Sequence, residues 1–198
     1  MKRLVVGTGN AGKLTEIRRK LEGAGFEIVT LRDLGLSVDV EEDEETFAGN
    51  ARKKAAAVSL AAGLPALADD SGIEVDVLGG RPGVRSARYG GNGLDDAARN
   101  ALLLRELAGV PAGKRTARFR CALAFAAPDQ APHMEEGTFE GSIAFAPAGD
   151  YGFGYDPIFV PAGFDRTLSE LGAEVKNRLS HRARALDLMK LWLLAHRG

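Results

Sequence analysis

The spacing of hydrophobic and polar positions predicts a mixture of strands and helices. Apolar runs over 4–7 and 26–31 have the length of short buried strands. Between them, the segment that begins at Lys13 has helical spacing, and Gly23 or Gly25 would end that helix. The chain therefore opens with a strand, a glycine-rich turn, a helix and a second strand, which favours an α/β fold.

The rest of the chain continues the mixture of periods. The predicted elements of the first half are an acidic loop over 38–47, a helix over 50–63 stopped by Pro65, an apolar strand that ends at Asp69 and Asp70, an alternating strand with Ile73, Val75 and Val77 on one face, and a turn at Gly79, Gly80 and Pro82. The predicted elements of the second half are a helix over 94–107, two strands over 117–126 and 137–146 joined by a polar loop with Pro128, Asp129 and Pro132, a shaped loop over 149–157, a capping box between Thr167 and Glu170, and a final helix with Ser180 as N-cap.

Composition narrows the class of protein. The 198 residues are 45% hydrophobic, which suffices for one domain or for two lobes that share a sheet, and we expect a single domain over 1–198 because no linker is visible. The net charge of −1 gives no global field to attract nucleic acid or anionic lipid. No stretch approaches the roughly 18 apolar residues of a membrane span, and the N-terminal apolar run is too short for a signal peptide. We therefore expect a cytoplasmic protein that binds neither membrane nor nucleic acid.

One cysteine, Cys121, shares a predicted strand face with Phe119, Leu123 and Phe125. A single cysteine cannot form an internal disulfide, and its apolar neighbours favour a buried core thiol over a nucleophile.

The turn after the first strand carries the first candidate site. Its sequence GTGNAGK from Gly7 satisfies two phosphate-binding patterns, G-x-G-x-x-G and G-x-x-x-x-G-K, which both let backbone amides approach an anion beside a helix N-terminus. The P-loop interpretation fails at Leu14, where a serine or threonine would ligate Mg²⁺. A dinucleotide-binding interpretation stays open because Asp33 lies about 20 residues beyond the loop, where a ribose-binding acid belongs. A plain glycine turn is the third alternative.

Acidic residues supply the second candidate site. Asp69, Asp70 and Ser71 follow an apolar run, and open α/β sheets bind ligands at the carboxyl ends of strands. Mg²⁺ commonly binds through one or two carboxylates and the substrate phosphates, so Asp70 with one acid of the 41–45 loop would suffice. The alternatives are a solvated acidic loop and a turn-forming aspartate pair.

Four separated blocks of sequence resemble the non-standard purine nucleoside triphosphate pyrophosphatases, the inosine triphosphatase or Ham1-like family. The blocks are TGNAGKLTEI from Thr8, ETFAGNARKKA from Glu45, ADDSGIEVDVLGGRPGVRSARYGG from Ala68, and GFGYDPIFVP with KNRLSHRARAL from Gly152 and Lys176. The resemblance implies an α/β fold with a long mixed β-sheet flanked by helices, two lobes with a central substrate cleft, Mg²⁺ as cofactor and a homodimer. It implies hydrolysis of ITP, dITP and XTP to the monophosphate and pyrophosphate, which would cleanse the nucleotide pool and prevent incorporation into DNA and RNA.

The resemblance also assigns residues. Asp70 matches the family's proton acceptor and a metal ligand, and Glu41 matches the other metal position, although the loop departs from the family's pattern and leaves Glu42 as an alternative. The matched substrate contacts are Thr8, Gly9, Asn10, Ala11, Gly12, Lys13, Ser71, Phe153, Gly154, Tyr155, Asp156, Lys176, His181 and Arg182. Aromatic side chains can stack on a purine, while lysine and arginine can donate to phosphate or to a carbonyl oxygen.

Three other functions stay open on the sequence. An NAD(P)-dependent oxidoreductase would use the glycine pattern and Asp33, but it would leave the ADDSG, GFGYDP and SHR segments without a role. A nucleotide-binding regulatory module without catalysis and a pyrophosphatase for modified pyrimidine triphosphates are the others.

Overall fold

The computed structural model describes residues 2–128 and 130–196, so the predicted loop residue Asp129 lies outside the described residues. Its strands are β1 (Lys2–Val6), β2 (Phe26–Thr30), β3 (Ala66–Val75), β4 (Thr116–Ala126), β5 (His133–Ile143) and β6 (Phe159–Pro161). Its α-helices are α1 (Ala11–Leu21), α2 (Phe47–Ala62), α3 (Asp96–Glu106), α4 (Leu168–Leu179) and α5 (His181–Ala195). Within the described ranges, no helix is both long enough and apolar enough to cross a membrane.

The strands form one mixed six-stranded sheet in the order β2-β1-β3-β4-β5-β6. β1 pairs in parallel with β2, with Leu4 opposite Ile28, and in parallel with β3, with Val5 opposite Ala66. β5 and β6 pair antiparallel. Parallel neighbours need a long crossover, which α1 supplies between β1 and β2. The predicted α/β class with a mixed sheet and flanking helices is confirmed.

The prediction that a strand ends at the two aspartates is wrong. β3 continues without a break through Asp69 and Asp70 to Val75. Its continuation is possible because both carboxylates are buried with hydrogen-bonding or charged partners, so the strand tolerates them in its interior. Further along β3, the Ile73 amide donates to the hydroxyl of Ser86 at 2.9 Å. Val77, expected on one face with Ile73 and Val75, instead lies in a 3-10 turn and is 46% exposed.

Helix boundaries follow local chemistry. α2 ends one residue before Gly63, which adopts a left-handed conformation with φ of 62°. Gly63, rather than the predicted Pro65, therefore stops this helix. The predicted capping box is confirmed at the start of α4, where the Thr167 side chain accepts from the Glu170 amide and the Glu170 carboxylate accepts from the Thr167 amide.

The chain divides into two compact units. The first unit comprises Met1–Asp70, Cys121–Gly137 and Arg182–Gly198, and the second comprises Ser71–Arg120 and Thr138–His181. Each of β3, β4 and β5 has one part in each unit. The prediction of a single domain over 1–198 stays a prediction.

Each unit has its own hydrophobic core. The core of the first unit contains Leu4, Val6, Ile17, Leu21, Leu67, Cys121, Leu123, Phe125, Leu186, Met189 and Leu193, among others. The core of the second unit contains Ile73, Val75, Leu103, Leu107, Phe119, Phe139, Ile158, Phe159 and Leu168, among others. Cys121 is 1% exposed, which confirms a core thiol, and its burial raises the pKa of the thiol to about 12.

Candidate functional site

The glycine-rich loop of the first unit is shaped by its own side chains. The Thr8 hydroxyl accepts from the Asn10 amide at 3.2 Å, and the Asn10 side chain caps α1 by accepting from the Lys13 amide at 3.0 Å. Gly7 packs so closely against α2 that a Cβ there would lie 2.9 Å from Val58 Cγ2. The amides of the first helical turn have no intrahelical acceptor, so this helix N-terminus is suited to an anion.

The structure gives local roles to Leu14 and Asp33, the residues on which the P-loop and dinucleotide-binding interpretations of this loop depended. Leu14, at the position of a P-loop hydroxyl, packs against the core of the first unit. Asp33, the candidate ribose ligand, accepts from the Thr30 amide at 2.9 Å, while the Thr30 hydroxyl accepts from the Asp33 amide. Asp33 therefore stabilises the turn that follows β2.

Asp69 lies in a buried network of charges within the first unit. Its Oδ2 is 2.9 Å from Lys13 Nζ and 3.2 Å from Arg182 Nε, and Arg182 Nη1 is 2.6 Å from Glu16 Oε2. Burial alone would raise the pKa of Asp69, but the charges of Lys13 and Arg182 outweigh it and place the pKa far below its usual range. The ionised form of Asp69 is therefore favoured, and its carboxylate anchors Lys13 and Arg182.

Asp70 has a different environment in the same unit. Its Oδ2 accepts from the Asn50 amide group at 2.9 Å, and its Oδ1 is 3.8 Å from Lys54 Nζ. Asp70 is 5% exposed, and burial raises the pKa of its carboxyl although Lys54 and Asn50 oppose the shift. A carboxylate with a raised pKa is a stronger proton acceptor, which is the property that a general base needs.

Lys54 links Asp70 to the acidic loop. Its Nζ is 2.7 Å from Glu42 Oε1, and the negative charge of Glu42 further raises the pKa of Asp70. Burial would lower the pKa of Lys54, but Asp70, Asp69 and Glu42 together raise it. Glu41 is exposed, and the neighbouring Lys53 pairs with Asp43, whose hydrogen bond is the main cause of the raised pKa of Lys53, with a smaller contribution from the charge of Glu41. Of the two acids considered for a metal, Glu42 is thus the one that shares a cation with Asp70.

The donor chemistry at Asp70 fits a hard cation. Glu42 and Asp70 are oxygen ligands that already converge on one positive group, the Lys54 ammonium. Among residues 2–128 and 130–196, three or more His, Cys, Asp or Glu side chains do not gather into a metal-binding group. Two carboxylates completed by substrate phosphates are a common way to bind Mg²⁺.

The second unit contains the loop over 149–157, here called the aromatic loop, and ionic contacts organise it. Asp156 is buried, accepts from the Phe153 amide at 3.0 Å and forms an ion pair with the buried Lys176. The Lys176 ammonium also lies 3.9 Å from the centroid of the Phe153 ring. Three of the predicted substrate contacts are therefore brought together within this unit.

Three further predicted residues of the second unit have partners or positions of their own. The Tyr155 hydroxyl donates to the Ser86 carbonyl oxygen at 2.9 Å, so its polar group has a structural partner. His181, the first residue of α5, is buried and stacks on Phe119 with a centroid distance of 4.8 Å. Ser71 lies half-buried in β3.

Several residues of these clusters were not singled out from the sequence. Asn50 and Lys54 are four positions apart on α2, a spacing that places two side chains on one helix face. That spacing next to the acidic loop was the available signal. Glu16 on α1 gave no signal, because its partner Arg182 is 166 positions away. Asp96 and Asn100 on α3, which hydrogen-bond to the peptide groups of Gly154, gave none either, because Gly154 is 58 and 54 positions away.

The mixed six-stranded sheet and its flanking helices place the chain among the α/β proteins. Residues 4–192 match the model of the Ham1 family, and the chain belongs to that family. It is 47% identical to the dITP/XTP pyrophosphatase of Bacillus subtilis, over 98% of each chain, and 50% identical to that of Geobacter sulfurreducens, over 96% of each. It is also similar to the solved structure of a HAM1 protein from Coxiella burnetii, with a TM-score of 0.91, 38% identity, and coverage of 98% of this chain and 100% of that one.

Proposed function

We propose that this protein hydrolyses non-standard purine nucleoside triphosphates, namely ITP, dITP and XTP, to the monophosphate and pyrophosphate. The observation that carries the proposal is the buried carboxyl of Asp70, which has a raised pKa and lies between Asn50 and Lys54. The relatives named dITP/XTP pyrophosphatase, matched over nearly the whole chain, supply the substrate class. The reaction would remove such nucleotides from the pool before they are incorporated into DNA or RNA.

Asp70 is the general base of the proposed reaction. Asn50 holds Asp70 Oδ2, so the carboxylate can accept a proton from water without rotating away. The water oxygen attacks the α-phosphorus, the bond from that phosphorus to the α,β-bridging oxygen breaks, and the water proton passes to Asp70. The electron pair of the broken bond leaves on pyrophosphate. A positioned base of this kind contributes about 10²–10⁴-fold.

The phosphates are assigned to the glycine-rich loop. The proposed phosphate contacts are Thr8, Gly9, Asn10, Ala11, Gly12 and Lys13. Asp69 holds the Lys13 ammonium at 2.9 Å, which keeps a positive charge beside the N-terminus of α1 without a large entropic cost on binding.

Mg²⁺ is the proposed cofactor, held by Asp70 and one acid of the loop. The sequence favoured Glu41, but the ion pair between Glu42 and Lys54, which is shared with Asp70, supports Glu42 instead. When bound, the metal would neutralise charge on the phosphate oxygens. Lys54 would then balance the remaining charge of the two carboxylates.

The purine base is assigned to residues of the second unit. Phe153 offers a ring for stacking, and Lys176 offers a donor for the carbonyl oxygen at purine position 6. Adenine carries an amino donor at that position, and a buried donor left unpaired costs about 1–3 kcal/mol.

The proposed group of contacts is completed by Ser71, Gly154, Tyr155, Asp156 and His181. Arg182 keeps its proposed substrate role, although its guanidinium also holds Asp69 and Glu16. A homodimer in the cytoplasm remains the proposed state of the enzyme.

Pyrophosphate release from a panel of triphosphates tests the proposal. We expect kcat/KM for ITP, dITP and XTP to exceed that for ATP by about 100-fold, the effect of one or two unpaired buried polar groups. Chelation of divalent metal should abolish the activity. Equal rates on all purine triphosphates, or a preference for modified pyrimidine triphosphates, would contradict the substrate assignment. Tight binding of NAD(P)H without pyrophosphate release would favour an oxidoreductase.

A further inference from the structure

The aromatic loop is rich in glycine and needs external support. Gly149, Gly152 and Gly154 all have positive φ, at 81°, 95° and 64°. Such a backbone has high conformational freedom when it is not held, because glycine loses more entropy on ordering than other residues. Whatever fixes this backbone also fixes the Phe153 ring and the carboxylate of Asp156.

One end of the loop is fixed to the start of α4. The Thr167 hydroxyl donates to the Ala148 carbonyl oxygen at 2.7 Å, and the Ser169 hydroxyl donates to the Tyr151 carbonyl oxygen. A Cβ at Gly149 would lie 2.7 Å from the Ser169 carbonyl carbon, so the loop backbone packs directly on the helix there. These contacts fix the segment before Phe153 but not the segment after it.

α3 holds the segment after Phe153 through the backbone amide and the carbonyl oxygen of Gly154. The Asp96 carboxylate accepts from the Gly154 amide at 2.6 Å, and the Asn100 side chain donates to the Gly154 carbonyl oxygen at 3.0 Å. Asp96 and Asn100 are four positions apart and therefore share one face of α3. Arg99 lies 3.3 Å from Asp96 and restrains its carboxylate.

We propose that Asp96 and Asn100 are positioning residues for base recognition, because they fix the peptide groups of Gly154 and thereby the neighbouring Phe153 ring. This inference rests on the proposed function, in which Phe153 and Lys176 contact the purine. Asn100 is 4% exposed, and both residues act through their hydrogen bonds to Gly154, so neither role requires contact with the substrate. Losing this support weakens binding of the base in the ground state and in the transition state alike, which raises KM and leaves kcat nearly unchanged.

Steady-state kinetics with ITP and hydrogen exchange at the Gly154 amide test the inference. Asp96→Ala should raise KM about 10-fold or more, as loss of a charge-assisted hydrogen bond does, and speed exchange of the Gly154 amide by a similar factor. Asp96→Asn retains an acceptor oxygen and should recover most of both losses. Asn100→Asp removes the donor to the Gly154 carbonyl oxygen and should also raise KM.

Asp95→Ala is the matched control. Asp95 caps the same helix by accepting from the Ala98 amide at 2.8 Å, and it makes no hydrogen bond to the loop within the described part of the chain. Its loss should lower the Tm while KM stays within about twofold of wild type, since a cap contributes to helix stability rather than to the loop.

Three results would overturn the inference: an unchanged KM in Asp96→Ala, an equal rise of KM in Asp95→Ala, or unchanged exchange of the Gly154 amide. Hydrogen exchange needs no substrate. A wild-type protein that failed to hydrolyse ITP would therefore contradict the proposed function, while exchange in the two Asp96 variants would still decide whether α3 holds the loop.

Discussion

Asp69 and Asp70 are neighbours in β3, yet the two carboxylates have opposite properties. Successive side chains of a strand point to opposite faces, so each aspartate meets different elements. Asp69 meets Lys13 and Arg182, and its pKa falls far below the usual range. Asp70 meets Asn50 and the more distant charge of Lys54, and burial raises its pKa.

The difference in environment suits Asp69 to a structural role and Asp70 to a chemical one. Two close cations offset the cost of burying the Asp69 charge, so its ionised form contributes to stability. The charge of Asp70 is less well compensated, which makes its carboxylate a better base and a less favourable buried group. Replacing Asp70 by asparagine therefore tests catalysis, and replacing Asp69 by asparagine tests stability.

The largest expected effect is on catalysis by Asp70→Asn. The variant should lose about 10²–10⁴-fold in kcat for ITP, because the amide cannot accept the water proton. Its unfolding free energy, measured by urea denaturation in EDTA, should equal or exceed that of wild type, since a poorly compensated buried charge is removed. Activity within threefold of wild type would exclude Asp70 as the base.

Asp69→Asn should reduce stability. Removing one partner of a buried ion pair costs about 3 kcal/mol or more, because the remaining charges stay buried. The folded-state pKa of Asp69 is lowered, so this contribution is present above the unfolded pKa of about 3.9 and is lost as the pH falls toward the much lower folded pKa. Urea denaturation at pH 7 and pH 3 should therefore show a smaller difference between variant and wild type at pH 3.

Asp187→Asn is the control for Asp69→Asn. Asp187 forms an ion pair with Lys20 at 2.8 Å, close to the 2.9 Å of the pair between Lys13 and Asp69, but its side chain is 54% exposed. Its loss should cost less than about 1 kcal/mol. Equal costs for the two variants would show that burial does not distinguish the pairs.

The smallest expected effect concerns the metal partner of Asp70. Glu42→Gln should raise the Mg²⁺ concentration for half-maximal activity about 10-fold, as loss of a metal-supporting group typically does. Glu41→Gln should change it by less than about twofold, because Glu42 and not Glu41 forms the ion pair with Lys54 beside Asp70. The reverse order, obtained from Mg²⁺ titrations at saturating ITP, would favour Glu41.

Much of the fold could be predicted from local sequence. The period of apolar residues located the first two strands, α1, α2, α3 and the long strands β4 and β5 within a few residues. The prediction failed at Asp69 and Asp70, where polar residues suggested the end of a strand that in fact continues. Aspartate has a low strand propensity and is usually exposed, so the sequence alone does not predict it inside a buried strand. Only tertiary partners make such a buried position favourable.

The candidate site divides in the same way. A local pattern was enough to indicate a candidate anion-binding loop at 7–13, because its glycines and helix start are contiguous. The pair of Asp70 with Asn50 and the pair of Arg182 with Glu16 join residues that are 20 and 166 positions apart. Nothing in the local sequence specified these contacts.

The sequence by itself determined the mixed α/β character, the glycine-rich loop, the buried thiol of Cys121 and the resemblance to a family. Each of these depends on short-range periodicity or on contiguous motifs. The tertiary structure decided which aspartate is an anchor and which is suited to act as a base, and which loop acid shares Lys54 with it. A pKa depends on burial and on charges within a few ångströms, and only the folded chain brings those charges together.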